Sequence, residues 1–122
     1  MLLMIKVFYQ FSRYKKSYFK SIKIQGHANY DFSGKDLVCA GISAIVNGTI
    51  NFLKENYAKK CQISVSEAKT TIKCLFPSSK EFQLCLKLFF YQLKNIALSY
   101  PQYISFKQVE SIIANGKHSL KL

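Results

Sequence analysis

The sequence predicts an α+β fold, a mainly antiparallel sheet packed by two helices in the order β-β-α-β-β-α-β. Two observations predict it. Short segments rich in Ile, Val, Phe and Tyr occur in pairs and alternate partly at period two, whereas two longer stretches switch to helical spacing. Pro77, Pro101 and the glycines Gly26 and Gly34 fall between these stretches, where chain direction must change.

Leu2 to Gln10 and Tyr18 to Gln25 form the first expected strand pair, with Ser12 to Ser17 as the polar break between them. Gly26 to Gly34 is polar, is bounded by glycines and holds His27, Asn29, Asp31 and Ser33, which suits a mobile loop. From Asp36 to about Tyr57 the apolar positions Leu37, Ala40, Ala44, Ile45, Gly48, Phe52 and Leu53 follow helical spacing. The first half of that segment is apolar nearly all round, so a buried central helix is expected.

A second hairpin is expected from Cys61 to Val65 and Thr70 to Phe76, turning at Ser66 to Lys69. Pro77 ends it, and Ser78 or Ser79 is placed to cap the helix that follows. On that helix Phe82, Cys85, Leu86, Phe89, Phe90, Leu93, Ile96 and Ala97 make a wide apolar stripe, which stops near Ser99 before Pro101. Tyr103 to Val109 reads as a last strand, and the polar tail from Asn115 is expected to fray.

A chain of 122 residues with 49 % hydrophobic content suits one domain over 1–122 with a substantial core. The longest apolar run considered as a membrane span, Met1 to Phe11, is interrupted by Lys6 and is too short to cross a bilayer. Charge follows that run instead of preceding it, so it does not read as a secretory signal, and a cytoplasmic protein with no membrane partner is expected. Cys39, Cys61, Cys74 and Cys85 show no C-x-x-C spacing and are joined by only two histidines, so no metal site and no cofactor is implied. Of those histidines, His118 sits in the polar tail and reads as solvated.

Eighteen Lys+Arg against six Asp+Glu give a formal net charge of +12, which favours encounters with RNA, ribosomes or anionic surfaces. The same composition also arises where lysines merely coat solvated faces. No Walker, Rossmann or RNA-binding motif and no internal repeat accompanies it.

The informative stretch runs from Gly26 to Ile45, where a loop histidine, His27, precedes a cysteine, Cys39, near a helix start. A thiol is reactive as its thiolate, and both a helix N-terminus and an imidazole stabilise that anion. Asp36 and Ser43, at three before and four after Cys39, share its helix face. Asp36 there either orients His27 or simply caps the helix, since Ser33-x-x-Asp36 resembles a capping box. Ser43 either hydrogen-bonds in a site or is a small residue packed beside Ala40, Gly41 and Ala44. On the residues alone, Cys39 is also readable as core.

Gly26-His27-Ala28-Asn29-Tyr30, then Gly34, then Asp36-Leu37-Val38-Cys39-Ala40-Gly41-Ile42-Ser43-Ala44, closely resembles the ribosomal-processing cysteine protease family Prp. Ile96-Ala97-x-x-Tyr100-Pro101-x-Tyr103-Ile104 is similar to that family's second helix end and last strand. Departures are mild: Leu37 and Ile42 are conservative, Gly41 stands where alanine is common, and Gln92 where glycine is. The high positive charge is not part of the family pattern.

The resemblance implies His27 and Cys39 as the catalytic pair, with Asp36 and Ser43 supporting them. It implies an endopeptidase, typically homodimeric, that removes an N-terminal extension from a large-subunit ribosomal protein, the twenty-seventh of the L series. Substrates with aromatic residues before the cut imply an apolar pocket, for which the loop residues Gly26, Tyr30, Phe32 and Gly34 are candidates for a lid. Two other readings remain: a noncatalytic basic module bound to ribosome or rRNA, and a thiol hydrolase with another substrate.

Overall fold

In the computed structural model residues 5–26 and 33–110 are described, the first four residues of the first helix by backbone alone. The elements are β1 (Ile5–Phe11), β2 (Phe19–Gln25), α1 (Ser33–Asn56), β3 (Cys61–Ser66), β4 (Lys69–Cys74), α2 (Lys80–Ser99) and β5 (Ile104–Gln108). This is the predicted order. The strands form one sheet in the order β3-β4-β2-β1-β5, antiparallel throughout except where β1 runs parallel to β5.

Period-two alternation decides what each strand buries. Ile5 and Val7, Ile22 and Ile24, Ile72 and Ile104 point to one face, where α1 and α2 cover them. Tyr9, Phe11, Phe19, Phe90 and Phe106 extend this core as a chain of ring contacts, the Tyr9 and Phe90 centroids lying 4.8 Å apart. Such edge-on and tilted pairs contribute about 0.5–1.5 kcal/mol each beyond their burial. On α2 the expected stripe is the one that packs, with Phe82, Leu86, Phe89, Phe90 and Leu93 buried. Ser79, one of the two candidate caps, accepts the Phe82 N–H at 3.1 Å and starts that helix. The Phe76–Pro77 peptide just before it is cis.

Two expectations about α1 need correction. It begins at Ser33, three residues earlier than Asp36, and it is not buried all round. Val38, Cys39, Ile42, Val46, Ile50 and Leu53 face the core, while Leu37, Ala40, Ala44, Gly48 and Phe52 are exposed. The small residues had merged two faces into one apolar pattern, whereas the β-branched Val38, Ile42, Val46 and Ile50, each four apart, mark the true stripe. A further correction concerns membrane spans. Leu37–Asn56, with mean hydropathy 1.4, is longer than Met1 to Phe11 and meets the length and composition of a span. Its inner stripe is nevertheless seated on the sheet, as in a core helix.

Strand limits differ slightly from expectation. β1 ends at Phe11, β2 starts at Phe19, and β4 ends at Cys74 ahead of Leu75 and Phe76. The β1–β2 turn is closed by Ser12, whose hydroxyl accepts the N–H groups of Tyr14 and Lys15. Residues 1–4, 27–32 and 111–122 lie outside the described residues. They include His27, Tyr30, Phe32, the expected frayed tail and His118.

Candidate active site

Cys39 lies on the inward stripe of α1, 6 % exposed, where the helix crosses the end of the sheet. It lines a cleft of about 210 Å³ together with Gly26 and Ser43. The cleft is built from three parts of the chain: the start of β1 at Ile5, the end of β2 at Ile24 and Gly26, and the β3–β4 turn at Ser66, Ala68 and Lys69. Helical spacing explains why Cys39 and Ser43 share it, since residues four apart stack on one face. Ser43 is exposed, as a residue at the mouth of a cleft must be.

Gly26 joins the sheet to the segment that holds His27. Its φ of 136° is a value side-chain-bearing residues rarely adopt, and its N–H donates to the Ala68 carbonyl at 2.9 Å. The chain therefore leaves β2 at the wall of the cleft that Cys39 lines. His27, Tyr30 and Phe32 lie outside the described residues. Asp36 falls within α1 three residues before Cys39, and Gly34 in the first turn of that helix; the side chain of Asp36 is outside the description.

The earlier start of α1 changes one electrostatic expectation. Cys39 is the seventh residue of the helix, in its second turn, so its own N–H is committed to an intrahelical bond. The free amides and most of the dipole field belong to the first turn. Helix-end stabilisation of a Cys39 thiolate is correspondingly weaker than a first-turn position would give, and a nearby base matters more.

The remaining cysteines are unlike Cys39 in setting. Cys61 and Cys74 face each other across β3 and β4 with free thiols, and burial pushes both up in pKa, Cys74 to about 12 with Cys61 adding to the shift. Cys61 donates to the Tyr57 carbonyl at 3.6 Å. A thiol held protonated is a poor nucleophile. Cys85, half-buried, lies instead in the groove between the helices.

Sequence reasoning missed Asn47 and the turn residues Ser66, Ala68 and Thr70 as lining of the cleft. Asn47 was findable, because Cys39, Ser43 and Asn47 continue one spacing of four along α1. The turn was not, because only the sheet order brings β4 beside β2 and carries the hairpin tip to Gly26. Size alone points elsewhere: a larger groove of about 700 Å³ runs along α2 between Phe11, Phe19 and Leu98 and does not contain Cys39. The smaller cleft differs from that groove in holding a thiol, Cys39, and a hydroxyl, Ser43, beside Gly26, the residue that precedes His27.

Comparison with known proteins identifies a family. The family described as Cysteine protease Prp matches residues 4–105. The ribosomal processing cysteine protease Prp of Mycoplasma pneumoniae is 35 % identical over 86 residues, covering 67 % of this chain and 80 % of that protein. Among solved structures, Prp from S. aureus in complex with a substrate peptide superposes with a TM-score of 0.75 at 23 % identity, over 87 % of this chain and 100 % of the other. The same protease with a covalently linked product peptide gives 0.74 at 24 % identity, with the same coverage. At such identities the two structures speak to the fold, which they share with β1 through β5.

Proposed function

The chain belongs to the cysteine protease Prp family, and from that premise we propose that Cys39 is its nucleophile and His27 its general base. The observation that carries this reading is the shared cleft, in which Cys39 and Ser43 meet Gly26, the residue directly before His27.

In the proposed reaction His27 takes the Cys39 thiol proton, and the Cys39 sulfur attacks the scissile carbonyl to form a tetrahedral intermediate. The C–N bond then breaks, the imidazolium proton passes to the leaving amine, and an acyl-enzyme remains. Water, deprotonated by His27, cleaves the thioester and restores the thiol. Asp36 orients the imidazole from the first turn of α1, and Ser43 donates to groups in the cleft. Tyr30 and Phe32, between Gly26 and Gly34, supply apolar contacts to the substrate residue before the cut.

The substrate we propose is the N-terminal extension of a large-subunit ribosomal protein, the twenty-seventh of the L series, cut during ribosome maturation in the cytoplasm. The M. pneumoniae relative is named for ribosomal processing, which supports the class of substrate. We also propose one domain over 1–122 acting as a homodimer. Support for the dimer is the outer groove between α1 and α2, where Ala44, Gly48, Phe52, Leu88 and Gln92 leave an uncharged surface on a chain of net charge +12.

The test is incubation of a peptide spanning that extension with wild type, Cys39→Ala and His27→Ala under reducing conditions, read by mass spectrometry. Cleavage by wild type alone is the expected result. Cleavage by Cys39→Ala would end the thiol mechanism, and an intact peptide with folded wild type would end the substrate assignment.

A further inference from the structure

We propose that the open face of the sheet is a docking platform for single-stranded RNA, the choice of RNA over other polyanions resting on the ribosomal-processing reading above. Both helices cover one face of the sheet, and among the described residues nothing covers the other. The strand registers state what that face carries. Phe8 of β1 is opposite Lys23 of β2 on one side and Lys107 of β5 on the other, and Lys23 continues to Thr71 and Ser64. The next row holds Lys6, flanked by Gln25 and Ser105, and reaches Lys69. The row on the other side holds Gln10, Ser21 and Lys73.

Lys6, Lys23 and Lys107 thus adjoin one central aromatic ring and Lys69 and Lys73 lie two strands away on β4, with hydroxyls and carboxamides filling the remaining positions. All six Asp and Glu residues of the chain lie outside the strands, so no carboxylate stands among the lysines of the strands themselves. The helix side differs: Glu55 and Glu81 interrupt its lysines.

This is the chemistry that recognises a single strand of RNA. Phosphates pair with lysines, an unstacked base lies on an aromatic ring, and hydroxyl or amide side chains reach the 2′-OH. Neighbouring strands are about 4.8 Å apart, so Lys23 and Lys107 sit close on either side of Phe8. The Lys23 ammonium lies 4.8 Å from the centroid of the Phe8 ring, where it occupies the position a base would take. On binding, the base replaces it and the ammonium moves to the adjoining phosphate. An anionic membrane is the poorer fit, because insertion needs several projecting apolar side chains and, among the described strand residues, this face offers Phe8 alone.

The test is fluorescence anisotropy of a labelled single-stranded RNA against increasing salt, using wild type, Phe8→Ala, the pair Lys23→Glu with Lys107→Glu, and the charge-matched helix-side pair Lys54→Glu with Lys87→Glu. Each variant is first checked for folding by circular dichroism and for cleavage of the ribosomal peptide. The sheet-face pair should weaken binding at least about tenfold and lower the slope of log K against log salt by about 1.4, two phosphate contacts at about 0.7 each. Phe8→Ala should cost about fivefold or more, as loss of one stacked base does. Equal weakening by the helix-side pair, no RNA binding by wild type, or binding to anionic phospholipid vesicles in preference to RNA overturns the proposal. Peptide cleavage without RNA binding would defeat this inference alone, whereas a folded chain that binds RNA without cleaving would defeat the protease assignment and leave the platform.

Discussion

Gln83 and Phe19, 64 positions apart, exchange two hydrogen bonds: the Phe19 N–H donates to Oε1 at 2.8 Å, and Nε2 donates to the Phe19 carbonyl at 3.0 Å. β4 pairs with β2 only over residues 21–25, so Phe19 lies beyond the reach of its neighbouring strand. The carboxamide of Gln83, 5 % exposed, takes the place of the missing strand residue and also donates to the Ser78 hydroxyl at 3.1 Å.

Replacing Gln83 by leucine keeps the volume but leaves two buried backbone groups without partners. At about 1–3 kcal/mol for each such group, the variant should lose about 2–6 kcal/mol of stability in urea unfolding. A loss below about 0.5 kcal/mol would mean that water or a local shift satisfies Phe19 instead.

Gly41→Ala should be tolerated and should stabilise α1. A methyl group there would meet the Ile96 side chain at 3.5 Å, an ordinary contact, and alanine exceeds glycine in helices by about 1 kcal/mol. A rise in the thermal midpoint with unchanged peptide cleavage is the expected outcome; a fall would show that Ile96 cannot share the space.

Ala68 has φ 66° in the two-residue turn between β3 and β4, a conformation in which its Cβ is strained. Ala68→Gly should relieve that strain, partly offset by greater freedom in the unfolded chain, for a net gain of about 0.5–1 kcal/mol. Thermal unfolding checks it, and a destabilised variant would locate the strain elsewhere.

Burial holds the Cys74 proton up to about 12, against 9.0 for an ordinary thiol. Below 9.0 folded and unfolded states both carry the proton, so no stability depends on it; between 9.0 and about 12 only the unfolded state ionises, and stability falls as pH rises. Alkaline melts should show this decline, shallower in Cys74→Ala. At neutral pH, iodoacetamide should leave Cys74 unmodified in the folded protein, and rapid labelling there would contradict its burial.

Much of this was legible because local and global signals agree. Period-two runs, Pro77, Ser79 and the stripe from Phe82 to Leu93 each point to the element that forms. The rotation of α1 was harder to read, since Ala40, Ala44 and Gly48 look apolar yet gain little from burial and end in solvent. Within the site, Cys39 and Ser43 were recoverable from spacing on one helix. The cleft wall formed by the β3–β4 turn was not, because it depends on β4 reaching across to β2, a pairing that no local pattern encodes.

The bond from Gly26 to Ala68 ties the exit of β2 to the tip of a hairpin more than forty positions downstream in the chain. Lengthening that hairpin by a single residue would move the anchor and, with it, the point from which the following segment departs. The turn at Glu67 and Ala68 therefore acts as a fixed gauge for the point at which the chain leaves β2 toward His27, and indels there should be tolerated poorly, though neither turn residue has a role in the chemistry proposed.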